Sequence, residues 1–195
     1  MDGKDAMPIA TGTDARFTYD DFLLFPDDGK RHEIIDGEHY VTPSPNTRHQ
    51  KLVGRLHLAL GNFLEAHPEH GQAFLSPFDV VFSFYDVVEP DLVFVAGDQL
   101  EILTDKNIQG TPALVVEILS RGTRKRDELI KRRLYERSGV REYWLLDPEL
   151  DLVKVYRRAA DGTFPRVAEL TAEDHTTLTT PLLPGWSLAM ERLFR

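Results

Sequence analysis

Asp91 and Glu117 are carboxylates set in stretches that otherwise read as buried strands. Glu117 interrupts the run Ala113-Leu114-Val115-Val116-Glu117-Ile118-Leu119. The length of that run and its Val, Ile and Leu content predict a strand covered on both faces. Asp91 lies in a second β-rich run, Val87 to Val95. A carboxylate taken out of water is costly unless it is paired, hydrogen-bonded or bound to a metal. A basic segment follows the second acid: Arg121, Arg124, Lys125, Arg126, Lys131, Arg132 and Arg133 stand against only Asp127 and Glu128. Two such acids beside a basic helix suggest a divalent-metal site for phosphodiester chemistry. That chemistry needs hard oxygen ligands for Mg²⁺ or a similar ion. The ion polarises the phosphate and acidifies an attacking water, and a cation orients that water or offsets developing charge. Asp91 and Glu117 are candidate ligands, and the backbone carbonyl of Ile118 is a candidate third. The competing assignment is that each acid pairs with a nearby Arg or Lys, since structural ion pairs also bury carboxylates.

The elements that must position these groups follow from local patterns. A helix is expected from about Thr123 to Ser138, with Gly139 as its C-cap. On it Asp127, Lys131 and Tyr135 are spaced i, i+4, i+8 and share a face, while Ile130 and Leu134 point towards the core. Lys131 can then reach back over the end of the Glu117 strand; the alternative is a solvent-exposed pair with Asp127. Upstream, Thr18 and Asp21 form a variant capping box for a short helix ended by Pro26-Asp27-Asp28-Gly29. Asp36-Gly37 between Ile35 and Glu38 predicts a two-residue hairpin. Leu52, Val53, Leu56, Leu60, Phe63 and Leu64 follow helical spacing over Thr47 to His67. Further strands are expected at 73–75, 78–84, 142–146 and 152–156, with weaker ones near 164–170 and 176–179 and a short terminal helix.

Composition narrows the class. The 195 residues suit one mixed α/β domain, with residues 1–16 a flexible polar tail and 17–195 the folded unit. The absence of cysteine excludes disulfides, thiolate zinc sites and a cysteine nucleophile. The net charge of −9 argues against non-specific coating of nucleic acid, but not against a nuclease, because a bound cation offsets a carboxylate cluster. The N-terminus has no apolar signal core and no stretch is long enough to span a bilayer. A cytoplasmic location without membrane association is the default expectation.

Several segments taken together resemble a known family. Glu89-Pro90-Asp91, Val115-Val116-Glu117-Ile118-Leu119-Ser120, Asp127-x3-Lys131-x3-Tyr135, and Gly139 to Trp144 with Asp147-Pro148 are similar to the bacterial Uma-type proteins. These are restriction-endonuclease-like members of the PD-(D/E)XK nuclease superfamily. Glu33 to Glu38, Ser44-Pro45 with His49, and Ile102-Leu103-Thr104 also match, so the resemblance covers roughly residues 17–157. It implies a restriction-endonuclease-like α/β fold, a central mixed β-sheet flanked by helices, with Asp91 and Glu117 as metal-binding acids. The superfamily lysine usually lies two residues after the second acid, where this chain has Leu119; similar proteins move it to the next helix, which matches Lys131. Glu33 matches an acid that such folds bring in from an earlier element.

The expected activity is therefore Mg²⁺- or Mn²⁺-dependent hydrolysis of DNA. Asp91, Glu117 and Ile118 bind the metal, Lys131 orients water or stabilises charge, and Glu33 assists. Cutting both strands would need two sites, which favours a homodimer. The alternative from another class is a nuclease-fold protein that binds a partner without cleaving; an arginine filling the space between Asp91 and Glu117 would favour it. His49 could touch phosphate or water, or could be a surface histidine at a helix start. His67-Pro68-Glu69-His70 is not a zinc-protease pattern, because Pro68 breaks the helix, and it reads as a helix end. Trp144 belongs to a core or interface.

Overall fold

The computed structural model describes residues 16–42 and 44–195. The expected tail, apart from Arg16, lies outside the described residues. The chain starts with α1 (Tyr19–Phe22), capped by Thr18 and Asp21 in a reciprocal box. β1 (Arg31–Ile35) and β2 (Glu38–Thr42) form the hairpin, turning through Asp36 and Gly37 at φ 54° and 79°. Both central residues have positive φ, as a turn matched to strand twist requires. α2 (Thr47–Ala66) is capped by Asn46 and buries Leu52, Val53, Leu56, Leu60 and Leu64.

β3 (Gly71–Leu75), β4 (Val80–Ser83), β5 (Asp86–Val88) and β6 (Leu92–Ala96) follow. The expected single run over Val87 to Val95 is two strands. It breaks at Glu89-Pro90, because proline offers no N–H to a ladder, and its halves enter different sheets. After β7 (Ile108–Gln109) and β8 (Leu114–Ile118), a π-helical segment, Arg126–Lys131, runs into α3 (Arg132–Ser138), which Gly139 ends at φ 86°. β9 (Glu142–Asp147), β10 (Leu152–Arg157), β11 (Arg166–Thr171), the pair β12 (Thr177–Thr179) and β13 (Ser187–Ala189), and α4 (Met190–Phe194) complete the chain.

The larger sheet has the order β11-β10-β9-β8-β6-β3, with β8 and β9 parallel and its other pairs antiparallel. The second sheet has the order β2-β1-β5-β4-β7. The larger sheet is buried on both faces by alternation. Leu92, Phe94, Leu114, Val116, Trp144 and Leu146 pack with α2, α4 and the β12–β13 pair. Val93, Val95, Val115, Tyr143 and Leu145 pack with α3 and the second sheet. Glu117 falls on the α3 side of β8, in a position its neighbours two residues away fill with apolar groups. No helix among the described residues is long and apolar enough to cross a membrane.

Candidate active site

The β6–β8 ladder pairs Phe94 with Leu114, Val93 with Val115 and Leu92 with Val116. One step further along the same antiparallel register sets Asp91 opposite Glu117. There the strands part. Instead of a backbone carbonyl, the carboxylate Oδ2 of Asp91 accepts the N–H of Ile118 at 2.7 Å. A strand residue presents its N–H and C=O on one edge, so the Ile118 carbonyl leaves towards the same gap. Asp91, Glu117 and Ile118 line one cavity of about 120 Å³ together with Arg31, His49, Arg126, Asp127 and Lys131. That is room for a cation with several waters, since one water needs about 10–15 Å³ by such a measure.

Each acid is held by side chains from other elements. Asp91 Oδ1 accepts from Arg31 Nη1 at 2.7 Å and lies 3.1 Å from His49 Nε2. Glu117 Oε1 accepts from Lys131 Nζ at 2.8 Å and from the Tyr135 hydroxyl at 2.6 Å. Lys131 is 2% exposed and also lies 2.7 Å from Glu33 Oε1, with Asp127 Oδ1 at 4.0 Å. Glu33 accepts the Glu89 N–H on Oε1, and its Oε2 is 3.6 Å from Arg126 Nη2. Four carboxylates thus meet three permanent cations in a buried cluster.

The electrostatics follow from that imbalance. Burial pushes Glu117 up to about 8, against the pull of Lys131 and with the added push of Asp127, Asp91 and Glu33. Asp127 is likewise raised by burial, to about 6, against the pull of Lys131. Burial opposes ionisation of Glu33 and Asp91 as well, but their partners prevail: Lys131 and Arg126 lower Glu33, and His49 and Arg31 lower Asp91. For Lys131 burial favours the neutral amine, yet Glu117, Glu33 and Asp127 together raise it above the ordinary lysine value. One ammonium cannot compensate both Glu33 and Glu117. Glu33 has Arg126 and a backbone donor besides, so Glu33 is lowered while burial raises Glu117.

The donor set fits a hard divalent cation. Lys131 and Tyr135 both bond Glu117 through Oε1, and Glu117 and Asp91 both line the cavity. Excess buried negative charge is what a cation would offset. Asp91, Glu117 and the Ile118 carbonyl are the groups that would hold it. Among the described residues, the only three-donor cluster of His, Cys, Asp or Glu atoms within 4.8 Å of one another is His67, Glu69 and His70, away from this cavity.

The structure brings Asp91, Glu117, Ile118 and Lys131 to one cavity, and Lys131 does not form a surface pair with Asp127, since both are buried. Glu33 stands behind Lys131 and does not line the cavity. His49 is buried on Asp91. Of the seven basic residues, Arg126 and Lys131 turn inward, while Arg124 clamps Asp147 at 2.6 and 3.1 Å and Arg121 pairs with Glu149 at 2.8 Å. Arg31 escaped notice, although Arg31 and Glu33 are spaced i, i+2 on one strand and so share its face. Trp144 is a core residue, stacked on Trp186 with ring centroids 5.7 Å apart.

The model of the Uma2 family, described as "Putative restriction endonuclease", matches residues 19–191. The chain belongs to the Uma2 family. A crystal structure described as "a putative nuclease belonging to DUF820", from Anabaena variabilis ATCC 29413, is similar in fold. It has a TM-score of 0.76 and 20% identity, and the alignment covers 91% of this chain and 97% of that one. No curated protein matches the chain. The Uma2 match runs past the motifs legible up to about residue 157 and takes in β11, β12 and β13.

Proposed function

We propose that this Uma2 chain is a Mg²⁺- or Mn²⁺-dependent endonuclease that hydrolyses DNA phosphodiester bonds. The observation that carries the reading is the opposition of Asp91 and Glu117 where β6 and β8 separate, above a cavity that Lys131 also lines. A bound divalent cation would acidify an attacking water and offset charge on the phosphate. Asp91 and Glu117 would be its carboxylate ligands and the Ile118 carbonyl a third. Lys131 fixes the Glu117 carboxylate and places a permanent positive charge beside the reacting phosphate. Glu33 holds Lys131 in place, and Tyr135 fixes the rotamer of Glu117. Arg31, on the Asp91 side, is the group best placed to hold a neighbouring phosphate. Cleavage of both strands calls for a homodimer with two such sites.

The second reading is a nuclease-fold protein that binds a partner without cutting. It is favoured by the ion pair between Arg31 and Asp91, which compensates one acid without a metal. Gel assays of single- and double-stranded DNA with Mg²⁺, Mn²⁺ or EDTA, and with Asp91→Ala, separate the two. Metal-dependent cutting lost in Asp91→Ala supports the enzyme; no cutting with any metal supports the binding protein.

A further inference from the structure

The segment between α2 and β3 has no part in the site above, yet it gathers three metal-binding side chains. α2 ends at Ala66, His67 is its C-cap, and Pro68–His70 make one tight 3₁₀ turn. Within this turn His67 Nδ1 lies 3.7 Å from Glu69 Oε1, and His70 Nε2 lies 3.9 Å from the same oxygen. All three donor atoms are within 4.8 Å of one another. Zn²⁺ bonds of about 2.0–2.2 Å put tetrahedral donors about 3.4 Å apart, so the two histidine–glutamate distances need only a few tenths of an ångström, and rotation of the two imidazoles closes the rest of the set.

The frame around the donors is stiff. Phe63, one turn earlier on α2, packs against both imidazoles, with centroids 4.6 Å from His67 and 5.7 Å from His70. The turn is pressed onto the end of β6: a Cβ on Gly97 would come 2.1 Å from the Glu69 carbonyl oxygen, and one on Gly71 would come 2.1 Å from that of Val95. Gly71 at φ 130° then starts β3 opposite Ala96. The donors therefore converge without ordering a loose loop, and the ordering entropy that weakens most surface sites is small here.

We propose that His67, Glu69 and His70 form a surface binding site for a transition-metal cation, Zn²⁺ or a near relative, completed by water. Two imidazoles and one carboxylate suit Zn²⁺, Ni²⁺ or Cu²⁺, whereas Mg²⁺ prefers oxygen ligands. The site is separate from the Asp91–Glu117 centre. His49 and His67 sit at opposite ends of α2, which is about 30 Å long at 1.5 Å per residue. A bound ion would tie the end of α2 to the start of β3, and this holds whether or not the protein cuts DNA.

The test is Zn²⁺ titration by calorimetry of the full chain in excess Mg²⁺, which competes for the oxygen donors of the Asp91–Glu117 cavity, with Co²⁺ visible absorption in parallel. The variants are His67→Ala, His70→Ala and the double substitution, whose side chains are surface groups; circular dichroism checks their folding. Wild type should take up one more equivalent of Zn²⁺ than the double variant and show a Co²⁺ band that the variant lacks. Each single substitution should weaken binding by more than the roughly tenfold to hundredfold that loss of an outer partner costs. Equal Zn²⁺ uptake by wild type and double variant, or none by wild type at 100 times the protein concentration, overturns the proposal.

Discussion

Glu117→Gln should remove the pH dependence that Glu117 imposes on stability. Glu117 rises from 4.5 to about 8, because burial outweighs the attraction of Lys131. A carboxyl with a raised value keeps its proton in the folded chain where the unfolded chain has lost it. Its contribution is complete below about 4.5 and is lost as pH rises towards 8. Each pH unit inside that window removes about 1.4 kcal/mol. Wild type should thus lose about 3 kcal/mol relative to Glu117→Gln between pH 5.5 and 7.5, an upper figure that water entering the cavity reduces. Gln suits the comparison: its carbonyl can accept from Lys131 and Tyr135 as Oε1 does, and its amide keeps the size of the carboxyl without titrating. The assay is urea denaturation of both proteins in EDTA at several pH values, with the wild-type curve taken minus the variant curve. Added Mn²⁺ should restore wild type at high pH by binding only the folded state, and should do little for the variant. A difference curve that is flat, or that rises with pH, would show that Glu117 is ionised throughout and that Lys131 outweighs burial.

Lys131→Ala should cost about 3–5 kcal/mol in chemical denaturation, because it leaves Glu33 and Glu117 buried without their shared ammonium; cleavage, where present, should vanish. Arg31→Gln should tighten Mn²⁺ binding in calorimetry, since Asp91 loses its competing cation, while affinity for DNA falls. DNA binding should weaken with salt along a log–log slope of about −3.6, from Arg31, Lys125, Arg132 and Arg133, not the −6 that seven phosphate contacts would give. Arg126 and Lys131 point inward and Arg121 and Arg124 already hold acids.

Most of the fold was legible because its signals are local. Asp36-Gly37 can turn only one way between two strands, Thr18 with Asp21 caps a helix within four residues, and Gly139 ends another. The α2 stripe and the apolar β8 run each announce a buried face. What the sequence did not show was how the pieces divide between sheets. Val87 to Val95 looks continuous by side-chain content, and the break depends on the missing N–H of Pro90 together with the parting of β6 from β8. Choice of partner strand is tertiary, and no local pattern encodes it.

The candidate site divides along the same line. Asp91 and Glu117 stood out because a charge in an apolar strand violates the pattern around it. Lys131 stood out only as a helix position, where exposure is the usual outcome. Its burial depends on Glu33, which arrives from β1, far away in sequence. Arg31 arrives on the same strand face and was invisible for the same reason, since nothing near it in sequence marks the β1 hairpin as one wall of the cavity. The pairing explains why moving the lysine to a helix is workable. An ammonium on β8 itself would draw its compensation from adjacent strand positions. From the helix, Lys131 needs a third element to hold it, and Glu33 supplies that hold. The third element carries Arg31 with it, two residues away, and so sets a second cation on Asp91. The displaced lysine and the arginine on the metal-binding acid are then two results of one arrangement, so the arginine alone does not argue that catalysis has been lost.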